Sequence, residues 1–399
     1  MDIVIHPQKL CGTVAAIPSK SQAHRLMICA AFADRPTTFL CPDTNRDIEA
    51  TADCLNALGA SITRTENGYY VVPAGEIPDT ALLNCCESGS TLRFMLPIVG
   101  ALGVDTTFQM AGRLPQRPLS PLWEEMERMG CKLTRPTPTT LRCQGRLQSG
   151  EYSIDGGVSS QFITGLLFAA ALLPGDSHIR ITGKLESKPY IVMTQRAMEI
   201  FGVDTGDYLV RGGQTFRSPG ELTVEGDWSN GAFFLAAQAL ENPVQVVNLS
   251  PNSPQGDRAV AEFLSRLQES RATISAADTP DLVPILAVAA SAHHGAVFTD
   301  IQRLRLKETD RVATVLAMLG GLGGKAEATE NTLTVHAAPL TGGTVDATGD
   351  HRIAMSAAIA ATVCTAPVTI IGAESVNKSY PKFWGEYHRL GGNYEQHLR

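Results

Sequence analysis

A chain of 399 residues exceeds the ~250–300 residues at which a single hydrophobic core stops growing, so two domains are expected. Apolar residues make up 44% and charged residues 18%, which excludes a disordered chain and fits a globular protein with a large core. The net charge of −7 argues against a general binder of nucleic acid or anionic membrane, so any basic site must be local.

The nine cysteines include one adjacent pair, Cys85-Cys86, and no Cys-x-x-Cys spacing. That pattern fits reduced, buried thiols of a cytoplasmic protein better than a metal knuckle or a disulfide framework. Met1–His6 has no basic stretch followed by a long apolar core, so no signal peptide is expected. The longest uncharged run, Met355–Ala373, contains Pro367 and many small residues and reads as helix, turn and strand, not as a membrane span.

In chain order the sequence repeats one unit six times. Each unit opens on small or polar residues followed by an apolar helix, beginning near Lys20, Ser88, Ser159, Ser229, Asp281 and Asp350. A short run rich in Val, Ile, Thr and Phe then reads as a strand, as in Thr37–Leu40 and Val368–Ile371. A second helix follows at 48–58, 120–129, 192–201, 259–267, 311–319 and 382–390, and most of these end at glycine. Alternating segments such as Tyr69–Val72 and Thr332–Val335 read as further strands in five units, while the sixth runs out at the C-terminus. The first helix of each unit is apolar nearly all round and is expected to be buried; the second has one apolar face. Three units per domain would place a boundary between the third and fourth, where Gly212-Gly213 and Arg217–Gly220 lie.

The helix starts are decorated with chemistry. The first carries Lys20, Ser21 and Arg25; the second Glu87, Ser88, Gly89 and Arg93; the third Ser159, Ser160 and Gln161; the fifth Asp281; the sixth Asp350, His351 and Arg352. Arg117, Lys307, Glu308, Arg311 and Lys378 lie at other element ends. A helix start attracts anions, but its dipole contributes only about 0.3–1 kcal/mol when exposed, so fixed cations are needed as well. Arginine and lysine at element ends of an acidic protein therefore point to a small ligand, or two, with several negative charges. Arg46, Arg64 and Arg271 read instead as surface charges. Asp281 and Glu308 are the candidate general acid/base pair, with a helix cap and an ion pair to Lys307 or Arg311 as their bland readings. Gly320–Ala326 imitates a phosphate loop, but its spacing is one short and it follows a helix, so helix termination is the better reading. His293-His294 lacks a spaced partner for a metal, and no Gly-x-Ser-x-Gly elbow is present.

Seven pieces occur in order between Pro18 and Lys378: Ser19-Lys20-Ser21 with Arg25, Ser88–Arg93, Gln116-Arg117-Pro118, Ser159–Phe162, Ser187–Tyr190, Lys307–Arg311 and Asp350–Met355. On these the chain resembles the 5-enolpyruvylshikimate-3-phosphate synthase family, the enolpyruvyl transferases of the shikimate pathway. The resemblance implies an α/β, two-domain enolpyruvyl transferase fold with six βαβαββ repeats, three per domain, and an active site in the cleft between them. It also implies that the N-terminal strand belongs with the C-terminal half, giving a discontinuous domain of 1–13 with 225–399 and an inserted domain of 14–224.

The activity implied is transfer of the enolpyruvyl group of phosphoenolpyruvate to the 5-hydroxyl of shikimate 3-phosphate, through a tetrahedral intermediate, with release of phosphate and no metal or organic cofactor. Carried over by position, shikimate 3-phosphate would be held by Lys20, Ser21, Arg25, Ser159, Ser160, Gln161, Ser187, Asp281 and Lys307. Phosphoenolpyruvate would be held by Lys20, Gly89, Arg117, Gln161, Arg311, Arg352 and Lys378. Asp281, Glu308 and Lys20 would carry the proton transfers. Gly89 implies inhibition by glyphosate. A cytoplasmic monomer without nucleic-acid or membrane partners is expected.

Three positions depart from the family pattern: Glu87 and Arg303, where asparagine is common, and Pro18, which stands directly before Ser19 in place of the usual glycine. The nearest rival, the transferase acting on UDP-N-acetylglucosamine, has Lys-Asn where this chain has Lys20-Ser21 and a reactive cysteine in the loop that here reads Gly112–Pro118. An RNA 3′-phosphate cyclase-like protein and a non-catalytic anion binder are the more distant alternatives.

Overall fold

The computed structural model describes residues 1–347 and 349–397. It divides into two compact units, one made of Met1–Ile17 with Glu225–Arg399 and the other of Pro18–Val224. Among the described residues no helix is long and apolar enough to cross a membrane.

The chain opens with β1 (Asp2–His6) and β2 (Gly12–Ala15). The first repeat follows as α1 (Lys20–Ala31), β3 (Thr37–Leu40), α2 (Arg46–Ala57), β4 (Ser61–Thr65) and β5 (Gly68–Val72). The second is β6 (Thr80–Asn84), α3 (Gly89–Leu102), β7 (Asp105–Gln109), α4 (Leu122–Arg128), β8 (Cys131–Thr134) and β9 (Thr140–Gly145). The third is β10 (Glu151–Asp155), α5 (Ser160–Leu172), β11 (Ser177–Thr182), α6 (Lys188–Ile200) and β12 (Leu209–Val210), with β13 (Glu221–Thr223) after it. The fourth is α7 (Trp228–Ala239), β14 (Val244–Val247) and α8 (Val260–Glu269). The fifth is β15 (Ala272–Ser275), α9 (Val283–Ala292), β16 (Ala296–Thr299), α10 (Arg311–Gly321), β17 (Lys325–Ala328) and β18 (Thr332–His336). The sixth is β19 (Gly343–Asp346), α11 (His351–Ala360), β20 (Val368–Ile371), α12 (Phe383–Arg389) and β21 (Asn393–His397).

Four sheets share one pattern. In the second repeat the order is β6-β7-β9-β8, with β6 and β7 parallel across α3 and the β8–β9 hairpin added antiparallel to β7. The fifth repeat copies it as β15-β16-β18-β17. The sixth completes it with a borrowed strand, in the order β19-β20-β1-β21, so β1 and β21 stand where a hairpin would. The last unit therefore does not run out at the C-terminus. The first repeat borrows β13, which pairs parallel with β3, while β2 pairs parallel with β14 of the fourth. The strands that flank the two connections thus each pair within their own unit, β2 in one and β13 in the other. This is why the N-terminal segment of the discontinuous unit reaches Ile17 and does not stop at residue 13. The third sheet has three strands and the fourth two among the described residues; β15, after α8, pairs with β16 and opens the fifth repeat.

The first helices of the repeats form the cores. Met27, Phe94, Leu166 and Phe168 lie in one unit, and Phe233, Leu286 and Ile353 in the other, all at 0–2% exposure. Within α3, Pro97 has no N–H to offer the carbonyl of Arg93. Gly165 of α5 closes that gap: a Cβ built there would fall 2.3 Å from the Arg93 oxygen, so only glycine allows the two helices to touch.

Candidate active site

In the unit Pro18–Val224 the predicted residues gather at helix starts because short polar caps satisfy the free N–H groups there. Ser19 caps α1, accepting from Gln22 N, and Lys20 is the first helical residue. Lys20 Nζ donates to Asp47 Oδ2 at 2.9 Å, from the first turn of α2. Ser88 caps α3. Gly89 follows it, and a Cβ there would lie 2.6 Å from Arg117 Nη1, so the guanidinium rests directly on the Gly89 backbone. Arg117 itself follows a 3-10 turn, Leu114–Gln116.

Ser159 caps α5, with Ser160 buried behind it. The Gln161 amide is held at both ends: Oε1 accepts from Arg93 Nη1 at 2.7 Å, and Nε2 donates to Ser90 Oγ at 2.9 Å. Arg93 also donates to the Pro118 carbonyl and lies over the Phe162 ring. Ser187, at the start of α6, has φ +56°, a left-handed conformation that costs a non-glycine residue about 1–3 kcal/mol and recurs at functional sites.

Arg25 is buried, and three of its N–H groups are spent inside the protein: on Thr194 Oγ1 (2.8 Å), the Ser21 carbonyl (2.7 Å) and the Tyr190 carbonyl (3.0 Å). Burial lowers its pKa to about 10, so it stays charged at neutral pH. Arg64, read above as a surface charge, is exposed; it donates to the carbonyls of Cys41 and Gly68 and stacks on Tyr69.

In the other unit five predicted residues meet. Arg311 opens α10, is fully buried, and faces three carboxylates: Asp281 at 2.7 Å, Glu308 at 2.5 Å and Asp350 at 3.0 Å. Arg352, in the first turn of α11, donates to Asp281 Oδ2 at 3.2 Å and to its carbonyl at 3.3 Å. Lys307 Nζ lies 3.4 Å from Asp281 Oδ1. Asp281 is therefore an ionic hub, while α9 behind it begins without a side-chain cap. Burial alone would raise its pKa; Arg352, Lys307 and Arg311 outweigh that and hold it well below the usual carboxylate range. Burial draws Lys307 down to about 8, helped by Arg311 and Arg303 and opposed by Asp281 and Glu308. Lys378 ends the 3-10 turn Ala373–Lys378 after β20.

Sequence reasoning gave no supporting role to four residues, of which it named Arg93 and Asp350. Asp47 holds Lys20, and Arg93 orients Gln161, although Arg93 lies inside a quoted motif. Asp350 caps α11, accepts from Thr309 at 2.9 Å and grips Arg311. Asp257, on the 3-10 turn Gly256–Ala259, is pushed up to about 6 by burial and by the Asp281 carboxylate, against the pull of Arg352. Of the departures, Glu87 lies against Gly112, where a Cβ would fall 2.5 Å from its Oε1, and Arg303 sits on the turn leading to Lys307. The phosphate-loop lookalike is the end of α10, with Gly323 at φ +85°. Among the described residues no group of His, Cys, Asp and Glu is arranged to hold a metal ion.

Solved structures share this architecture. An EPSP synthase from Acinetobacter baumannii superposes with a TM-score of 0.80 over 99% of both chains at 22% identity. The enolpyruvyl transferase NikO from Streptomyces tendae does so with a TM-score of 0.74 over 99% of this chain and 98% of that one, at 17% identity. At those identities the likeness defines the fold, that of the enolpyruvyl transferases. Sequence narrows the class. The chain belongs to the EPSP synthase (3-phosphoshikimate 1-carboxyvinyltransferase) family, whose model matches residues 4–387. A 3-phosphoshikimate 1-carboxyvinyltransferase of Clostridium kluyveri is 37% identical over 99% of this chain and 98% of its own.

Proposed function

We propose that this chain transfers the enolpyruvyl group of phosphoenolpyruvate to the 5-hydroxyl of shikimate 3-phosphate and releases phosphate. Family membership gives the reaction. The observation that carries the site is a carboxylate, Asp281, embedded among Arg311, Arg352 and Lys307, with Glu308 on the same arginine.

In this reading shikimate 3-phosphate is held by Lys20, Ser21, Arg25, Ser159, Ser160, Gln161, Ser187, Asp281 and Lys307. Phosphoenolpyruvate is held by Lys20, Gly89, Arg117, Gln161, Arg311, Arg352 and Lys378. Asp281 takes the proton of the 5-hydroxyl as the oxygen bonds to the central carbon of phosphoenolpyruvate. Glu308 or Lys20 gives a proton to the methylene carbon, which closes the tetrahedral intermediate. Loss of phosphate and of one methyl proton then forms the enol ether. Arg352, Lys307 and Arg311 make Asp281 a weak base. An anionic substrate competes for Arg311 and Arg352, lifts that restraint and makes the carboxylate more basic when the hydroxyl arrives.

Two substitutions test the roles. Asp281→Ala and Glu308→Gln are each expected to lower kcat by about 10²–10⁴. Unchanged turnover in either would remove that residue from the chemistry. Glyphosate is proposed to compete with phosphoenolpyruvate at the Gly89–Arg117 contact, and steady-state inhibition without such competition would reject this. We further read the protein as a cytoplasmic monomer: nine free cysteines fit a reducing compartment, and sedimentation equilibrium tests the monomer.

A further inference from the structure

Behind the start of α3 lies a buried hydrogen-bonded chain that the proposed chemistry does not use. His24 Nδ1 is 2.7 Å from Thr51 Oγ1, which is 2.7 Å from Thr91 Oγ1, which is 2.7 Å from Ser88 Oγ. All four side chains are buried, and they come from α1, α2 and α3 with its cap. Ser88 Oγ also accepts from Thr91 N at 3.2 Å, the bond that caps α3. A weaker branch runs from Thr91 Oγ1 to the Asp47 carbonyl at 3.4 Å, beside the carboxylate that holds Lys20.

The direction of the chain is set at its far end, where Thr91 Oγ1 donates to Ser88 Oγ and so must accept from Thr51, and it agrees with the state of His24. His24 Nε2 is buried and has no partner among the described residues. A bare nitrogen there is an unmet acceptor, whereas an N–H would be an orphaned donor, the rarer and costlier defect. The proton is therefore on Nδ1 and is donated to Thr51. Thr51 then donates to Thr91, and Thr91 to Ser88. Each threonine hydroxyl has one proton to give along the chain, that of Thr91 going to Ser88 at 2.7 Å and only weakly towards the Asp47 carbonyl at 3.4 Å, so the imidazole proton and the threonines share one sense. Burial lowers the His24 pKa to about 3, with Lys20 and Arg25 adding to the effect and Asp47 opposing it, so the ring stays neutral at working pH.

We infer that His24 is a positioning residue for phosphoenolpyruvate, acting through Thr51 and Thr91 to fix the first turn of α3, where Gly89 meets Arg117 and Ser90 holds Gln161. The kinetic part of this inference rests on the function proposed above.

The test compares His24→Leu, His24→Asn and Thr51→Val in the full chain. Asparagine places an amide N–H near the position of Nδ1; leucine does not. His24→Leu and Thr51→Val are expected to raise KM for phosphoenolpyruvate about five- to tenfold, the factor one lost hydrogen bond carries, with a smaller change in KM for shikimate 3-phosphate. His24→Asn should recover most of the loss, with no shift in the pH profile. Equal changes in both KM values, or no recovery by asparagine, overturns the inference. Hydrogen exchange at the amides of α3's first turn provides a readout that needs no activity. Exchange there should quicken in His24→Leu and return towards wild type in His24→Asn, and unchanged protection overturns the inference. Failure of wild-type turnover alone would count against the proposed function and leave the exchange result to decide on His24.

Discussion

Gly89 is small because Arg117 lies on it. Gly89→Ala pushes a methyl to 2.6 Å from the guanidinium, so Arg117 must shift away from the anion it is proposed to hold. The expected result is a rise of about tenfold or more in KM for phosphoenolpyruvate, a parallel loss of glyphosate sensitivity and a smaller change in KM for shikimate 3-phosphate. Lys307 makes a pH prediction. Its ammonium is charged below about 8 and loses its proton as pH rises through that value, so the contact with shikimate 3-phosphate proposed for it weakens on the alkaline side. KM for shikimate 3-phosphate should climb above pH 8, and Lys307→Met should abolish that limb while raising KM below it. At this scale the sequence showed the arginines, the lysines and the Asp281/Glu308 pair, because charged residues at helix starts are legible one by one. It did not show which charges meet. Asp47 grips Lys20 from another helix, and Asp350 grips Arg311 from 39 residues away, and no local pattern encodes such contacts.

Helices were the most legible elements. Caps, all-round apolarity and terminal glycines located both helices of every repeat to within a few residues, since these signals arise from the helix's own hydrogen bonds. The contact between helices was less legible. Gly165 and Pro97 are unremarkable in sequence, yet together they let α5 close on the freed carbonyl of Arg93. Gly165→Ala inserts a methyl 2.3 Å from that oxygen and should destabilise the protein by about 1–3 kcal/mol, seen as a lower urea midpoint with an unchanged slope. Because the same turn carries Arg93, which orients Gln161, KM values should rise in the surviving enzyme. A midpoint equal to wild type would mean that the helices pack less tightly than described.

The repeat pattern predicted six modules but not how they exchange strands. β1 lies at the other end of the chain from the sheet it completes, and β2 and β13 each pair beyond their own repeat. Pairing at that sequence separation leaves no periodic trace; only resemblance to a known family suggested that the N-terminal strand joins the C-terminal half. Deleting residues 1–6 removes Ile3 and Ile5, both fully buried, a loss of about 3–6 kcal/mol for two isoleucines before the broken ladders are counted. Limited proteolysis of that variant should degrade 225–399 while a fragment near 18–224 survives longer; equal digestion of both would contradict separate cores. The acceptor is what distinguishes this molecule's reaction from that of its nearest rival. The direct measurement is phosphate release from phosphoenolpyruvate, with shikimate 3-phosphate in one reaction and UDP-N-acetylglucosamine in another. Release only with shikimate 3-phosphate is the predicted result, and release only with the sugar nucleotide, or with neither, would contradict it.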